Sequence, residues 1–452
     1  MSADIILGQV LRDITPTDKD RVTEKELINE ILTILKAVTN GIYPTAQPII
    51  VGSMAKGTDL RGDKDIDMFI QFPKETLREE LEAKGLAIGK KFFELANSRP
   101  ELSYAEHPYV KGKYHGFTVE IVPCYKMEPG DSIMSAVDRS PLHTEFVVGE
   151  LGKQPHLRGE IRLLKRLLKA QGLYGAHAAV EGFSGYLCEL LVIKYGSLMD
   201  VLKAASKWKR KEYLSLTETP TKEFPDASLV FIDPVDSDRN VAAAVSTEKL
   251  AGMIYLSEEF LLQPSKDFFY APELKAMSKK QFYSKLTKRG TELICVHFFA
   301  PLLVEDTLIP QIDKSLSALV HECNRAGFQV LKSGHWTDGK EVFLLLELEV
   351  WELPRVMKKT GPFFDSKVAD MRSFVESNKD CAMSGLYLEG DQWCIDVERE
   401  HRHAEDLVKD YLQDPKSFGR NLREVRKFSV NVSAQIAKIK KQGFWEFMSE
   451  FW

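Results

Sequence analysis

Gly52-Ser53-Met54-Ala55-Lys56-Gly57-Thr58, followed after six intervening residues by Asp65-Ile66-Asp67-Met68-Phe69-Ile70-Gln71-Phe72, decides the reading of this chain. The second segment is β-rich and partly alternating, so it predicts a strand. Side chains two apart on a strand share a face, which sets Asp65 and Asp67 side by side, about 7 Å apart. Two carboxylates held so close repel each other. A hard divalent cation relieves that repulsion, and Mg²⁺ with oxygen ligands is the natural occupant. Glu120 lies in Thr118-Val119-Glu120-Ile121-Val122-Pro123, a second apolar strand whose Val119 and Ile121 point the other way, toward a core. If the two strands are neighbours in one sheet, Glu120 completes a three-carboxylate cluster. Such a cluster suits phosphoryl or nucleotidyl transfer by two metals, which acidify an attacking hydroxyl and neutralise a triphosphate. Gly52-Ser53 adds flexible backbone and a hydroxyl, and the N–H groups there can hold phosphate oxygens. An Asp-x-Asp pair alone is common on surfaces. Here the acids flank apolar residues inside a strand, where unpaired charge is costly. The chain carries no Walker sequence, which argues against a P-loop enzyme.

Around this centre the pattern predicts a helix over 22–39, with a capping box from Thr23 to Glu26. A short strand over 48–51, a charged helix over 75–97 and short strands over 103–124 complete the first part. Residues 158–206 and 247–262 read as helical, with a turn-rich piece (220–240) between them. Pro264 and Pro272 mark a boundary. Beyond it come a strand (292–299), a helix (308–326), strands at 328–332 and 341–351, and a strand pair (386–388 and 393–397). The order β-α-β-β suggests an RNA-recognition-like, ferredoxin-like sheet. The end, 404–441, reads as helical and basic. The class is α+β, in three domains: 1–150, 151–265 and 266–452.

The 452 residues are 44% hydrophobic and 28% charged, proportions that exclude disorder and collagen-like repeats. The net charge is −5, yet three segments are strongly basic. Residues 153–171 carry six bases against Glu160, residues 203–211 five bases and no acid, and residues 416–441 eight bases against Glu424. That asymmetry fits a polyanion-binding surface on an otherwise acidic protein; solvated helix faces are the plainer alternative. The longest nearly apolar run, Leu293–Val304, is broken by His297 and falls short of the ~20 residues of a membrane span. The N-terminus lacks a secretory pattern, and the six cysteines form no CxxC, so a reduced cytoplasmic setting without structural zinc is expected. His401 and His403 are not expected to form a metal site. Phe444-Trp445 to Phe451-Trp452 is either a docked helix or a subunit contact.

Gly-Ser, Asp-x-Asp and a third strand carboxylate together resemble the nucleotidyltransferase superfamily of DNA polymerase β and poly(A) polymerase. The flanking text is more specific. YAEHPYVKGKY (104–114), VEIVPCYKM (119–127), SAVDRSPLHTEF (135–146), EIRLLKRLLKAQGLYGA (160–176), EGFSGYLCELLVIKYGS (181–197) and FIDPVDSDRNVAAAVS (231–246) closely resemble the archaeal-type, class I CCA-adding enzymes. The likeness is strongest over roughly 20–260. It implies a nucleotidyltransferase head, a helical central domain and a C-terminal tRNA-binding domain with a helical tail. It implies template-free addition of C, C and A to the tRNA 3′ end from CTP and ATP, with Mg²⁺, repair of damaged ends, and a homodimer. Asp65, Asp67 and Glu120 match the metal ligands, the third often being Asp in the family. Gly52, Ser53 and Lys56 match positions near the nucleotide phosphates, Lys56 standing where Arg is common. His143, Lys165 and Tyr174 match positions that hold the incoming nucleotide, and Arg239 one implicated in reading the base. From the residues alone, Arg239 would pair with Asp236 or Asp238. The alternatives are a poly(A) polymerase or oligoadenylate-type nucleotidyltransferase, or an RNA-binding protein with a decayed catalytic domain.

Overall fold

A computed structural model describes residues 2–104, 106–128, 130–216, 223–271 and 273–452, the side chain of Tyr104 excepted. The chain forms two compact units, Met1–Pro272 and Glu273–Trp452. No helix among the described residues is long and apolar enough to cross a membrane.

In the first unit α1 (Ala3–Ile14) precedes α2 (Asp18–Ile42). The capping box of α2 is Thr17 with Asp20, not Thr23 with Glu26: Thr17 Oγ1 accepts from the Asp20 N–H at 3.2 Å, and the Thr17 N–H donates to Asp20 Oδ2 at 2.8 Å. The helix starts earlier than its apolar spacing suggests because its first turn is polar. Then follow β1 (Gln47–Val51), the single turn α3 (Gly52–Lys56), β2 (Asp65–Phe72), α4 (Arg78–Leu95), β3 (Glu101–Tyr104), β4 (Pro108–Tyr114) and β5 (Phe117–Tyr125). The sheet order is β1-β2-β5-β4-β3, with β2 and β5 parallel and the other neighbours antiparallel. Ile66, Met68, Ile70, Val119 and Ile121 are fully buried on one face beneath α2 and α4. Strand alternation then sends Asp65, Asp67 and Glu120 to the opposite face.

A second core gathers α5 (Arg139–Lys153), α6 (Leu157–Ala170), α7 (Gly185–Tyr195), α8 (Leu198–Ala205) and α9 (Thr247–Leu262), together with α1. The 158–206 segment is three helices with an irregular stretch after α6. The turn-rich piece holds strands: β6 (Glu212–Leu214), β7 (Leu229–Asp233) and β8 (Asp236–Asn240) form a three-stranded sheet. The residues of β7 are all buried. Pro225 and Pro234 gave the turn signal, but they bracket the strand rather than break it.

The second unit begins with α10 (Lys279–Arg289), β9 (Glu292–Phe299), α11 (Glu305–Arg325), β10 (Gln329–Thr337) and β11 (Glu341–Val350). A small sheet of β12 (Val356–Phe363), β13 (Tyr387–Glu389) and β14 (Gln392–Glu398), with α12 (Val368–Asn378), interrupts it before α13 (Ala404–Tyr411). The 404–441 stretch is not one helical run. Ser429–Val432 forms β15 and pairs antiparallel with β9. The alternation of Val430 and Val432 favours this strand. The sheet order β10-β11-β9-β15 extends the β-α-β-β order read from the sequence to β-α-β-β-α-β, with β15 as the fourth strand and one sheet inserted. Short α14 (Ser433–Ile436) and α15 (Gln442–Phe451) close the chain. Phe444, Trp445, Met448 and Phe451 of α15 are buried, so the aromatic end is a docked helix.

Candidate active site

The parallel pairing of β2 with β5 sets Asp67 opposite Glu120, and Asp65 opposite Thr118. A cleft of about 320 Å³ opens on this face, lined by Gly52, Lys56, Asp67, Glu120, His143 and Tyr186 among others. Asp65 is exposed at the start of β2. Burial pushes the Asp67 carboxyl up to about 6, with Glu120 and then Asp65 adding repulsion and Lys56 opposing it. Burial likewise raises Glu120, against the pull of Lys111. Three carboxylates with no thiol, two of them raised chiefly by burial, are a donor set that fits a hard divalent cation. Among the described residues, one trio has ligand atoms all within 4.8 Å of one another: Glu400, His401 and Asp410, in the second unit. The strand carboxylates therefore stand wider apart than that.

Gly52 belongs here for two reasons. Its φ of +74° lies in the left-handed region, and a Cβ at this position would meet Asp67 Oδ2 at 2.0 Å. Ser53 follows as the second residue of α3.

Lys56 and Lys165 are both buried and tied to one carboxylate. Lys56 Nζ donates to Glu189 Oε2 at 2.8 Å, and Lys165 Nζ to Glu189 Oε1 at 2.8 Å. Thr58 Oγ1 donates to Glu189 Oε1 at 2.7 Å. Burial would raise Glu189, but the two ammonium groups outweigh it and hold the carboxyl down at about 2. The triad keeps one net positive charge beside the cleft. Lys56 also lies 5.5 Å from the centre of the Tyr186 ring. Tyr174 is half-buried, with Lys169 over its ring at 5.2 Å and its hydroxyl against Gly185.

Arg239 pairs with neither Asp236 nor Asp238. Its Nη1 donates to Asp233 Oδ2 at 2.7 Å, while Asp236 accepts from Arg139 at 2.6 Å. His143 Nε2 also contacts Asp233 Oδ2, at 2.8 Å, and the His143 ring stacks on Tyr186 at 3.8 Å. Burial holds His143 below its usual range, and the partners of Asp233 hold that carboxyl low despite its burial. Asp233, Glu189 and Tyr186 are the residues that sequence reasoning missed. Glu189 did leave a signal, a lone acid in the apolar run Leu187-Cys188-Glu189-Leu190-Leu191.

The basic segments divide. The 153–171 run faces largely inward: Arg158 donates to the Lys56 carbonyl, Arg162 to the carbonyls of Asp59 and Gly57, and Lys169 to Asp63. It clamps the loop after α3, while Lys153 and Lys169 stay exposed. In contrast, Lys203, Lys207, Lys209, Arg210 and Lys211 are exposed, as are most bases of 416–441.

Three family models match the chain: "Nucleotidyltransferase domain" at 28–143, "tRNA nucleotidyltransferase, second domain" at 159–270, and "CCA-adding enzyme, C-terminal domain" at 289–433. The CCA-adding enzyme of Thermococcus gammatolerans is 36% identical over 471 residues, covering 100% of this chain and 99% of its own. That of Methanothermobacter thermautotrophicus is 34% identical, covering 98% and 97%. Among solved structures, the Cid1 poly(U) polymerase covers 59% of this chain and 98% of its own, at 13% identity and a TM-score of 0.48.

Proposed function

The chain belongs to the CCA-adding enzymes, and on that premise we propose that it adds C, C and A in turn to the tRNA 3′ end, without a template, from CTP and ATP, and restores ends that have lost them. The single observation that carries this reading is the pairing of Asp67 with Glu120 on the open face of the sheet, in one cleft with Lys56 and His143.

In the proposed reaction the terminal tRNA hydroxyl attacks the α-phosphorus of the nucleotide. A phosphodiester bond forms, and the bond to pyrophosphate breaks. Asp65, Asp67 and Glu120 would hold Mg²⁺, and two such ions, when bound, supply hydroxyl acidification and charge neutralisation. Lys56 and Lys165, both bonded to Glu189, attract the triphosphate to one end of the cleft. Gly52 and Ser53 give it backbone donors and a hydroxyl, and Tyr174 a stacking surface. Arg239 offers donors to the base. The exposed bases of 203–211 and 416–441 grip the tRNA backbone, so binding weakens steeply with salt. The reading includes a catalytic domain (1–150), a central domain (151–265), a tRNA-binding domain (266–452), a homodimer and a cytoplasmic workplace. Light scattering tests the dimer.

The deciding experiment offers purified enzyme a tRNA lacking its 3′ end, with the four nucleotides supplied singly and together. Extension that uses CTP and ATP and stops after CCA supports the proposal. Long A tails, or product formed without tRNA, would instead support a poly(A) or oligoadenylate-type activity.

A further inference from the structure

We propose that Asp233 is the positioning residue for base choice: it locks Arg239, His143 and Tyr186 into one rigid unit, and the enzyme rejects U and G only while that lock holds. The proposal rests on the reading of Arg239 as the residue that meets the base.

The Asp233 side chain is fully buried, at 0% exposure. Its Oδ2 takes the bonds from Arg239 Nη1 at 2.7 Å and His143 Nε2 at 2.8 Å. Its Oδ1 accepts from the Tyr186 hydroxyl at 3.1 Å and from the Val235 N–H at 3.1 Å. An ionised carboxylate has about four acceptor sites, so these partners fill it and leave nothing for a substrate. Asp233 acts through the others. One carboxylate thereby joins α5, α7, β8 and the β7–β8 turn. Because Asp233 accepts at Nε2, it also selects the tautomer of a neutral His143.

Arg239 spends one of its three nitrogens on Asp233, and among the described residues the other two make no hydrogen bond. Its side chain is 34% exposed and lines a pocket of about 410 Å³ with Arg139, Ala176 and Ser184. The guanidinium is a planar fork of donors with no acceptor. Cytosine at N3 and adenine at N1 present an acceptor on the pairing edge. Uracil at N3 and guanine at N1 present an N–H there. A guanidinium held still therefore accepts the first pair and opposes the second donor to donor. A guanidinium free to swing turns aside and tolerates all four. What C and A have in common becomes a selection rule only if Arg239 is anchored.

The test compares kcat/KM for CTP, ATP, UTP and GTP on tRNA lacking its end, in wild type, Asp233→Asn and Asp233→Glu. Asparagine places an N–H where Arg239 and His143 both donate. Glutamate keeps the buried charge but moves it by one methylene. We expect the preference for CTP over UTP to fall at least about tenfold in both, with Tyr186→Phe, which removes one bond and keeps the stack, falling less. Should Asp233→Asn fail to fold, Asp233→Glu and Tyr186→Phe carry the comparison. Variants that lose activity on all four nucleotides in equal proportion, following their melting temperatures, overturn the proposal and leave Asp233 a structural residue. A wild-type enzyme that itself uses UTP as readily as CTP overturns the base-reading role of Arg239, and the proposal with it.

Discussion

The Asp67 carboxylate occupies the space that a side chain on residue 52 would need, 2.0 Å from where a Cβ would stand. Gly52→Ala should therefore displace Asp67 as well as strain a backbone at φ +74°. The conformational cost alone is about 1–2 kcal/mol. We expect nucleotide addition to fall at least about a hundredfold with the fold retained, measured by single-turnover extension beside circular dichroism. Full activity in this variant would show that the close approach has no role.

Asp65→Ala and Asp67→Ala should each lower kcat by on the order of 10³ or more while tRNA affinity stays within about twofold. Glu120→Asp, the shorter acid at the third position, should keep measurable activity where Glu120→Ala does not. Filter binding and primer extension on the same preparations separate the two effects. Near-normal turnover in Asp67→Ala would refute the assignment.

Glu189 sets a pH dependence. Its folded value, about 2, lies below the ordinary 4.5, so ionised Glu189 favours the folded state. That stability is fully present above pH ~4.5 and drains away as pH falls toward ~2; the size is of order 3 kcal/mol. Glu189→Gln should destabilise the protein by about 2–4 kcal/mol at pH 7, and the gap to wild type should narrow in acid. Urea denaturation at pH 7, 4 and 3 checks the trend. A gap constant across this range would contradict it.

Replacing Lys203, Lys207, Lys209 and Lys211 by Ala should weaken tRNA binding. The salt dependence should flatten by roughly 0.7–0.9 log unit for each phosphate that no longer meets a lysine. An unchanged slope of log affinity against log salt would place the tRNA elsewhere.

The carboxylate face was legible because strand alternation is a local property: Val119 and Ile121 inward and Glu120 outward follow from six residues. The arrangement of β9, α11, β10 and β11 was legible for the same reason. The partners of the site residues were not. His143 meets Asp233 across 90 positions of sequence, and Lys56 meets Glu189 across 133. No periodicity links such residues; only folding does. Strand β7 escaped because two prolines flank five residues, and β15 because the basic residues around it suggested a solvated helix.

The inward charges of α6 carry a practical consequence. A designer seeking tighter RNA capture would be drawn to that arginine-rich helix and would be mistaken. Arg162 is a keystone, and swapping it should slacken the loop that leads into β2. Affinity engineering belongs on the lysines after α8, which already face solvent.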